Sequence, residues 1–293
     1  MEWIGTLQIL TAVLSFSVNI ILLICNYHRG KERWSTDGIL ITINAVLDCI
    51  LSWYLIIADL FRISNPSLVY DGSPWCHVTF IFERAIGTSC LNVVMLLSVV
   101  RYLVIVQKKN SNRIVWTGAT MALIFGLLTV TLIRSSNTKL HVYPSGMYCY
   151  PISTEEGKVE SITYFVYLLF YVPHMFIIPF CYFCISRHYS LIISTFDMTH
   201  FNLPTRIQAK VFGLAAVAVA YWACIMPHII IVQSIYILNT KPPPLLDGLL
   251  YWLKGCFLLI NAIFPLLFHT EIQNNFYSTF VIQEPSRPYN SYP

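Results

Sequence analysis

The chain has 293 residues, 56% of them hydrophobic and 11% charged, with a formal charge of +4 and a mean hydropathy of +0.64. Soluble domains carry about 25% charged residues, so a water-soluble globular protein is excluded. The small positive charge comes from an excess of Lys and Arg in the loops on one side of the chain and gives no reason to invoke nucleic acid.

In chain order the apolar residues fall into seven blocks, near Trp3–Asn26, Asp37–Phe61, Trp75–Val106, Ile114–Leu132, Glu160–Ser186, Gln208–Leu238 and Leu245–His269. Each is close to or above the roughly 20 residues with which an α-helix crosses a bilayer. The expectation is an all-α membrane protein, a seven-helix bundle forming one domain over residues 1–281, with a polar tail over 282–293. The first block is too long for a cleavable signal peptide and lacks a basic stretch before it, so it reads as helix one. No large N-terminal ligand-binding domain is expected.

Between the blocks, Arg29, Lys31, Arg33, Lys108, Lys109, Arg113, Arg187, Arg206 and Lys210 fall on one side, facing Arg62, Arg134, Lys139, Lys158 and Lys241. That bias places the N-terminus outside and the C-terminus inside. After the last block, "TEIQNNFYSTFVI" reads as a short amphipathic helix on the inner membrane face.

Of nine cysteines, most lie within the apolar blocks, where cysteine acts as a small hydrophobe. Only Cys76 and Cys149 fall on the outward side, where oxidation is allowed, and they form one obvious pair. No Asn-x-Ser/Thr acceptor for glycosylation is present. The histidines are scattered, with no H-E-x-x-H or paired-carboxylate motif, so neither a metal site, a cofactor nor catalysis is expected.

Charges inside the blocks are costly and functional by default. Arg101 stands alone in "LLSVVRYLVIV", Asp48 in "INAVLDCI", Glu83 and Arg84 in "FIFERAIG" and Lys254 in "YWLKGCF". Arg101 follows Cys76 by 25 positions, about 37 Å of helix at 1.5 Å per residue, so the two residues stand at opposite mouths of one spanning helix.

This arrangement resembles the rhodopsin-like (class A) G-protein-coupled receptors, in particular divergent members of the orphan or viral type. In that family a cysteine opens the third helix, bonds the second outer loop, and is followed at this distance by an Asp-Arg-Tyr triplet, here Val100-Arg101-Tyr102. Asn19 in "SVNIILLI" is similar to the asparagine that ties helices one, two and seven. Asp48 matches the mid-membrane carboxylate of helix two. Pro179 in "FIIPFCYF", Pro227 in "CIMPH" and Pro265 in "NAIFPLLFH" match the prolines of helices five, six and seven. Each proline frees a backbone carbonyl and leaves a hinge.

The resemblance implies a receptor in the plasma membrane, in contact with membrane lipids, with a heterotrimeric G protein as its inner partner, reached through Arg101 and Tyr102. The ligand is a small molecule, lipid or short peptide, or none at all. Glu83, Arg84, Lys254, His228 and Trp252 are the candidate ligand-binding residues. A Glu83–Lys254 bridge is expected across helices three and seven, with Arg84 turned toward helices four and five or engaging an anionic ligand group. Tyr221, Trp222, Tyr251 and His174 are expected nearby. A retinal-binding lysine would sit one turn closer to Pro265, where this chain has Leu258.

Several positions depart from the family pattern. Val100 replaces the acid beside the arginine, Ile225 the helix-six tryptophan, and Phe264 and Phe268 the asparagine and tyrosine of helix seven. The tyrosine position after Pro179 is Arg187. Trp116 comes early for the helix-four tryptophan unless the second inner loop is short. Cys90 and Phe264 replace partners of Asp48, which leaves Asn261 as a polar neighbour and argues against a sodium site. With no acid at Val100, a weakened resting state and ligand-independent signalling are expected. The alternative is a non-signalling relative that acts as a scavenger or dimerisation partner. A transporter is less favoured, since neither repeated halves nor broken helices are visible.

Overall fold

The structure, a computed structural model, describes residues 2–27, 35–151, 165–166, 168–170, 172–197, 216, 219–230, 242–268 and 272. The longer helices among them are α1 Glu2–Tyr27, α2 Thr36–Ser64, α3 Pro74–Ile105, α4 Arg113–Asn137, α5 Pro173–Asp197, α6 Val219–Ile230 and α7 Pro244–Phe268. All but the twelve-residue α6 segment contain a stretch long and apolar enough to cross a membrane.

Local chemistry sets the starts. Ser35 accepts the Gly38 N–H at 3.1 Å ahead of α2. Ser73 accepts the Cys76 N–H at 3.2 Å ahead of α3, where Pro74 takes the first helical position. Asn112 accepts the Ile114 N–H at 3.0 Å ahead of α4. Each side chain satisfies an amide that has no partner within its own helix.

The two faces of α2 show what surrounds the bundle. Val46, Ile50, Trp53, Ile57 and Leu60 are exposed on one stripe, while Asn44, Asp48, Ser52 and Asp59 are buried on the other. A helix that hides its polar residues and exposes its apolar ones is inverted relative to water-soluble packing, and lipid is the solvent that favours it. The bundle is built around α3, which packs on α2, α4 and α5, while α1 lies against α2 and α7.

Helix α3 is not regular. Phe82–Ile86 form a π-helical turn, and its extra residue rotates the facing of the rest of the helix, as such turns do at functional sites. Here Glu83 becomes buried in the bundle.

At one end, the strands β1 Leu140–Val142 and β2 Cys149–Pro151 form an antiparallel hairpin, with His141 opposite Tyr150. Gly146, at φ +70°, makes the turn between them, and its N–H reaches the Tyr143 carbonyl at 2.8 Å. The Cys76–Cys149 disulfide fastens this hairpin to the start of α3, as the sequence leads one to expect.

Some expectations are revised. α4 runs to Asn137 rather than Leu132, so Arg134 is a buried helical residue and not a loop charge. The link from α3 to α4 is short, and Trp116 sits in the opening turns of α4 against the cluster of Leu97 and Val100. All of the amphipathic segment after α7 but the buried Ile272, the tail over 282–293, and Arg29, Lys31, Arg33, Lys158, Arg206, Lys210 and Lys241 lie outside the described residues.

Candidate functional site

Near the disulfide end, the π-helical turn aims Glu83 at α7. Lys254 Nζ donates to Glu83 Oε2 at 2.6 Å, and the Tyr251 hydroxyl donates to Oε1, also at 2.6 Å. Lys254 and Tyr251 are three residues apart, so one face of α7 supplies both donors. The ammonium also lies 5.6 Å from the Tyr251 ring centroid, a favourable cation–π placement.

The cavity beside this pair is lined by Gln8, Leu51, Leu55, Cys90, Gly255 and Phe257 among others, and its volume is about 20 Å3. The Gln8 side chain lies across Gly255, where a Cβ would stand 2.7 Å from Gln8 Nε2. A side chain at this position would push the Gln8 amide aside.

The hairpin forms a roof over Tyr251, a wall residue of this pocket. Tyr148 stacks on Tyr251 with ring centroids 4.6 Å apart, and Tyr143 stacks on Tyr148 at 4.0 Å. Asp247, in the first turn of α7, accepts the Tyr148 hydroxyl at 2.6 Å and the Ser145 N–H at 3.1 Å. Burial raises the phenols of Tyr143 and Tyr148 above their usual range, against the opposing pull of the Arg84 guanidinium nearby. A neutral phenol is the form that can donate to Asp247.

The other expected ligand residues divide. His228 is buried, its ring 5.6 Å from Tyr148 and 6.3 Å from Tyr251, so it joins the roof of the pocket. Arg84 lies toward Tyr143 and Tyr148, away from the cavity wall. Trp252 faces α1, where its indole N–H donates to Thr11 at 3.0 Å. Trp222 is exposed on the lipid side. Tyr221 is buried and bonded to His174, apart from the Glu83 cavity.

Midway along the bundle, Asp48 is fully buried. Its Oδ2 accepts Asn44 at 2.8 Å and Asn261 at 3.5 Å, and the Cys90 thiol also bonds it. Asp48 thus joins α2, α3 and α7. Asn19 does not reach its neighbours directly: its amide donates to the Ser15 carbonyl at 2.9 Å. At this level α1 and α2 meet through the Ser52 and Ser15 hydroxyls, 3.0 Å apart. Pro179 and Pro265 lie inside α5 and α7, and Pro227 lies inside α6.

At the opposite end, Arg101 is held. Its Nε and Nη2 donate to the two carboxylate oxygens of Asp37 at 2.9 and 3.3 Å, and Nη1 donates to the Tyr182 hydroxyl at 3.3 Å. Two-pronged pairing is the strongest geometry open to a guanidinium and a carboxylate. The expectation that Arg101 lacks a clamp is therefore corrected: the acid missing at Val100 is supplied from the first turn of α2. Tyr102 leans on Phe180 of α5 at 6.3 Å and accepts Gln107 Nε2 at 3.2 Å.

The bundle, with a disulfide-tied hairpin over one mouth and a clamped arginine at the other, shares the fold of a solved rhodopsin. Among many matching solved chains, squid rhodopsin aligns with a TM-score of 0.68 and 13% identity, over 95% of this chain and 85% of that one. No protein-family model and no curated protein matches the sequence.

Proposed function

We propose that the protein is a receptor of the plasma membrane that binds a small ligand in the Glu83–Lys254 pocket. In this reading the disulfide end is outside, and binding there frees Arg101 inside to engage a heterotrimeric G protein. The observation that carries the proposal is that one helix, α3, holds both sites, each closed by partners from other helices.

The clamp governs the resting state. Asp37 sits on α2 and Tyr182 on α5, so outward movement of α5 breaks the Tyr182 contact and loosens the fork on Asp37. Arg101, with Tyr102 beside it, then presents donors to the partner. A resting clamp implies low basal signalling, which replaces the ligand-independent activity expected from Val100 alone.

The test is basal nucleotide exchange across all G-protein classes, comparing wild type, Asp37→Asn and Arg101→Ala at matched surface expression. Asp37→Asn is expected to signal several-fold above wild type, and Arg101→Ala to fall to the level of cells lacking the receptor. If all three stay silent, the coupling reading fails and the chain acts as a non-signalling relative, capturing ligand or pairing with another receptor.

A further inference from the structure

The pocket is closed by a pair that is already satisfied. Glu83 carries Lys254 on one carboxylate oxygen and the Tyr251 hydroxyl on the other. The space beside them, about 20 Å3, admits a water molecule, whereas pockets for organic ligands run to roughly 300–1,000 Å3. A ligand enters by drawing the pair apart.

That requirement selects its charge. A lone amine that takes Glu83 leaves the Lys254 ammonium without a counterion, and a lone acid that takes Lys254 strands the Glu83 carboxylate. Both outcomes leave an unpaired charge in a buried site, which is the costly one. A ligand bearing both charges exchanges one ion pair for two. Gln8, 1% exposed, lines the same cavity, and its Oε1 accepts no hydrogen bond among the described residues. An ammonium supplies the donor that this oxygen lacks. The Tyr251 hydroxyl, once parted from Glu83, is a donor for a carboxylate. Leu51, Leu55 and Phe257 leave apolar wall for a compact substituent.

We infer that the ligand is a small zwitterion of amino-acid size, its ammonium between Glu83 and Gln8 and its acid group on Lys254 and Tyr251. The inference rests on the reading of this pocket as the ligand site. The probes are the proteinogenic α-amino acids, β-alanine, γ-aminobutyrate and taurine. Each is set against its matched amine and acid, such as isoamylamine and isocaproate for leucine. The readout is thermal unfolding of the full chain in detergent.

At least one zwitterion is expected to raise Tm by about 3 °C or more near saturation, with its matched amine and acid far behind. Lys254→Met is expected to turn the preference toward amines and Glu83→Gln toward acids, each weakening the zwitterion roughly 100-fold. The wild-type panel decides by itself if a variant fails to fold. The inference is overturned if no zwitterion shifts Tm, or if a matched amine or acid does as well. If such a half-charged ligand loses its grip in either variant, the pocket remains the ligand site and only the zwitterion falls. Ligand binding that both variants leave unchanged removes the pocket itself.

Discussion

Helix α3 carries a carboxylate near one end and a guanidinium near the other, and both are closed in the same chemical manner, by one opposite charge and one tyrosine hydroxyl. They differ in where the partners come from. Glu83 takes both from a single face of α7, so the joint binds two helices and moves only if α7 moves. Arg101 takes Asp37 from α2 and Tyr182 from α5, so its joint spans three helices and is divided by any motion between them. They differ also in their access to water. The Glu83 side chain is 6% exposed and that of Lys254 18%, against 21% for Asp37 and 19% for Arg101. The drier pair is the costlier to break and suits a lock that a specific ligand must open. The wetter pair suits a clamp that yields to a shift of helices.

The largest effect is therefore expected at the drier end. Lys254→Met strands the Glu83 carboxylate, and removing one partner of a buried pair costs about 3–5 kcal/mol, a fall of roughly 10 °C in Tm for a chain of this size. The double variant Glu83→Gln with Lys254→Met removes both charges and is expected to recover more than half of that loss. Thermal unfolding in detergent checks both. A single variant as stable as wild type means that water reaches Glu83 freely, and the contrast between the ends is lost.

How much of this contrast was legible in the sequence depends on where each partner sits. Glu83, with Arg84 beside it, and Lys254 were visible because they are charges inside apolar runs, where cost alone marks them. Cys76 and Cys149 were visible by compartment. Asp37 was passed over because it lies at the head of its apolar block, where an acid is ordinary: it faces water and the positive end of the helix dipole. Tyr182 is one aromatic among many in "FIIPFCYF", and nothing in its spacing sets it apart. Trp252 was assigned to the pocket through its neighbours Tyr251 and Lys254, but adjacent helical residues point in directions about 100° apart, and its indole meets α1 instead. The π-helical turn at Phe82–Ile86 shifts facing by one residue, which a regular helical count does not anticipate.

The roof over the drier lock comes next in size. Tyr148→Phe keeps the stack on Tyr251 and removes only the hydroxyl that donates to Asp247 at 2.6 Å. Hydrogen bonds to charged groups contribute about 1.5–3 kcal/mol, and Ser145 N–H still satisfies the other carboxylate oxygen, so a loss near the lower figure is expected. If the roof gates the pocket, Cys90 on its wall becomes reactive toward a membrane-impermeant thiol reagent in the variant and stays protected in wild type. Peptide mapping by mass spectrometry reads this directly, and equal labelling of Cys90 in both forms would remove the hairpin's gating role.

The clamp at Arg101 should give the smallest changes in stability. Arg101 and Asp37 are both partly exposed, so screening by water holds Asp37→Asn to about 1 kcal/mol, even though its effect on signalling is expected to be several-fold. Tyr182→Phe removes a single long contact of 3.3 Å, expected to cost at most about 1 kcal/mol. The informative quantity is the coupling between the two. Arg101 bonds both Asp37 and Tyr182, so if the guanidinium is one rigid fork, fixing it at one side orders it for the other. The double variant then loses less than the sum of the single losses, because each single change has already released the fork. Basal signalling is expected to obey the same rule, with Tyr182→Phe adding little once Asp37 is gone. Strict additivity in both readouts would mean that α2 and α5 hold Arg101 independently, and movement of α5 alone would then leave the arginine in place on Asp37.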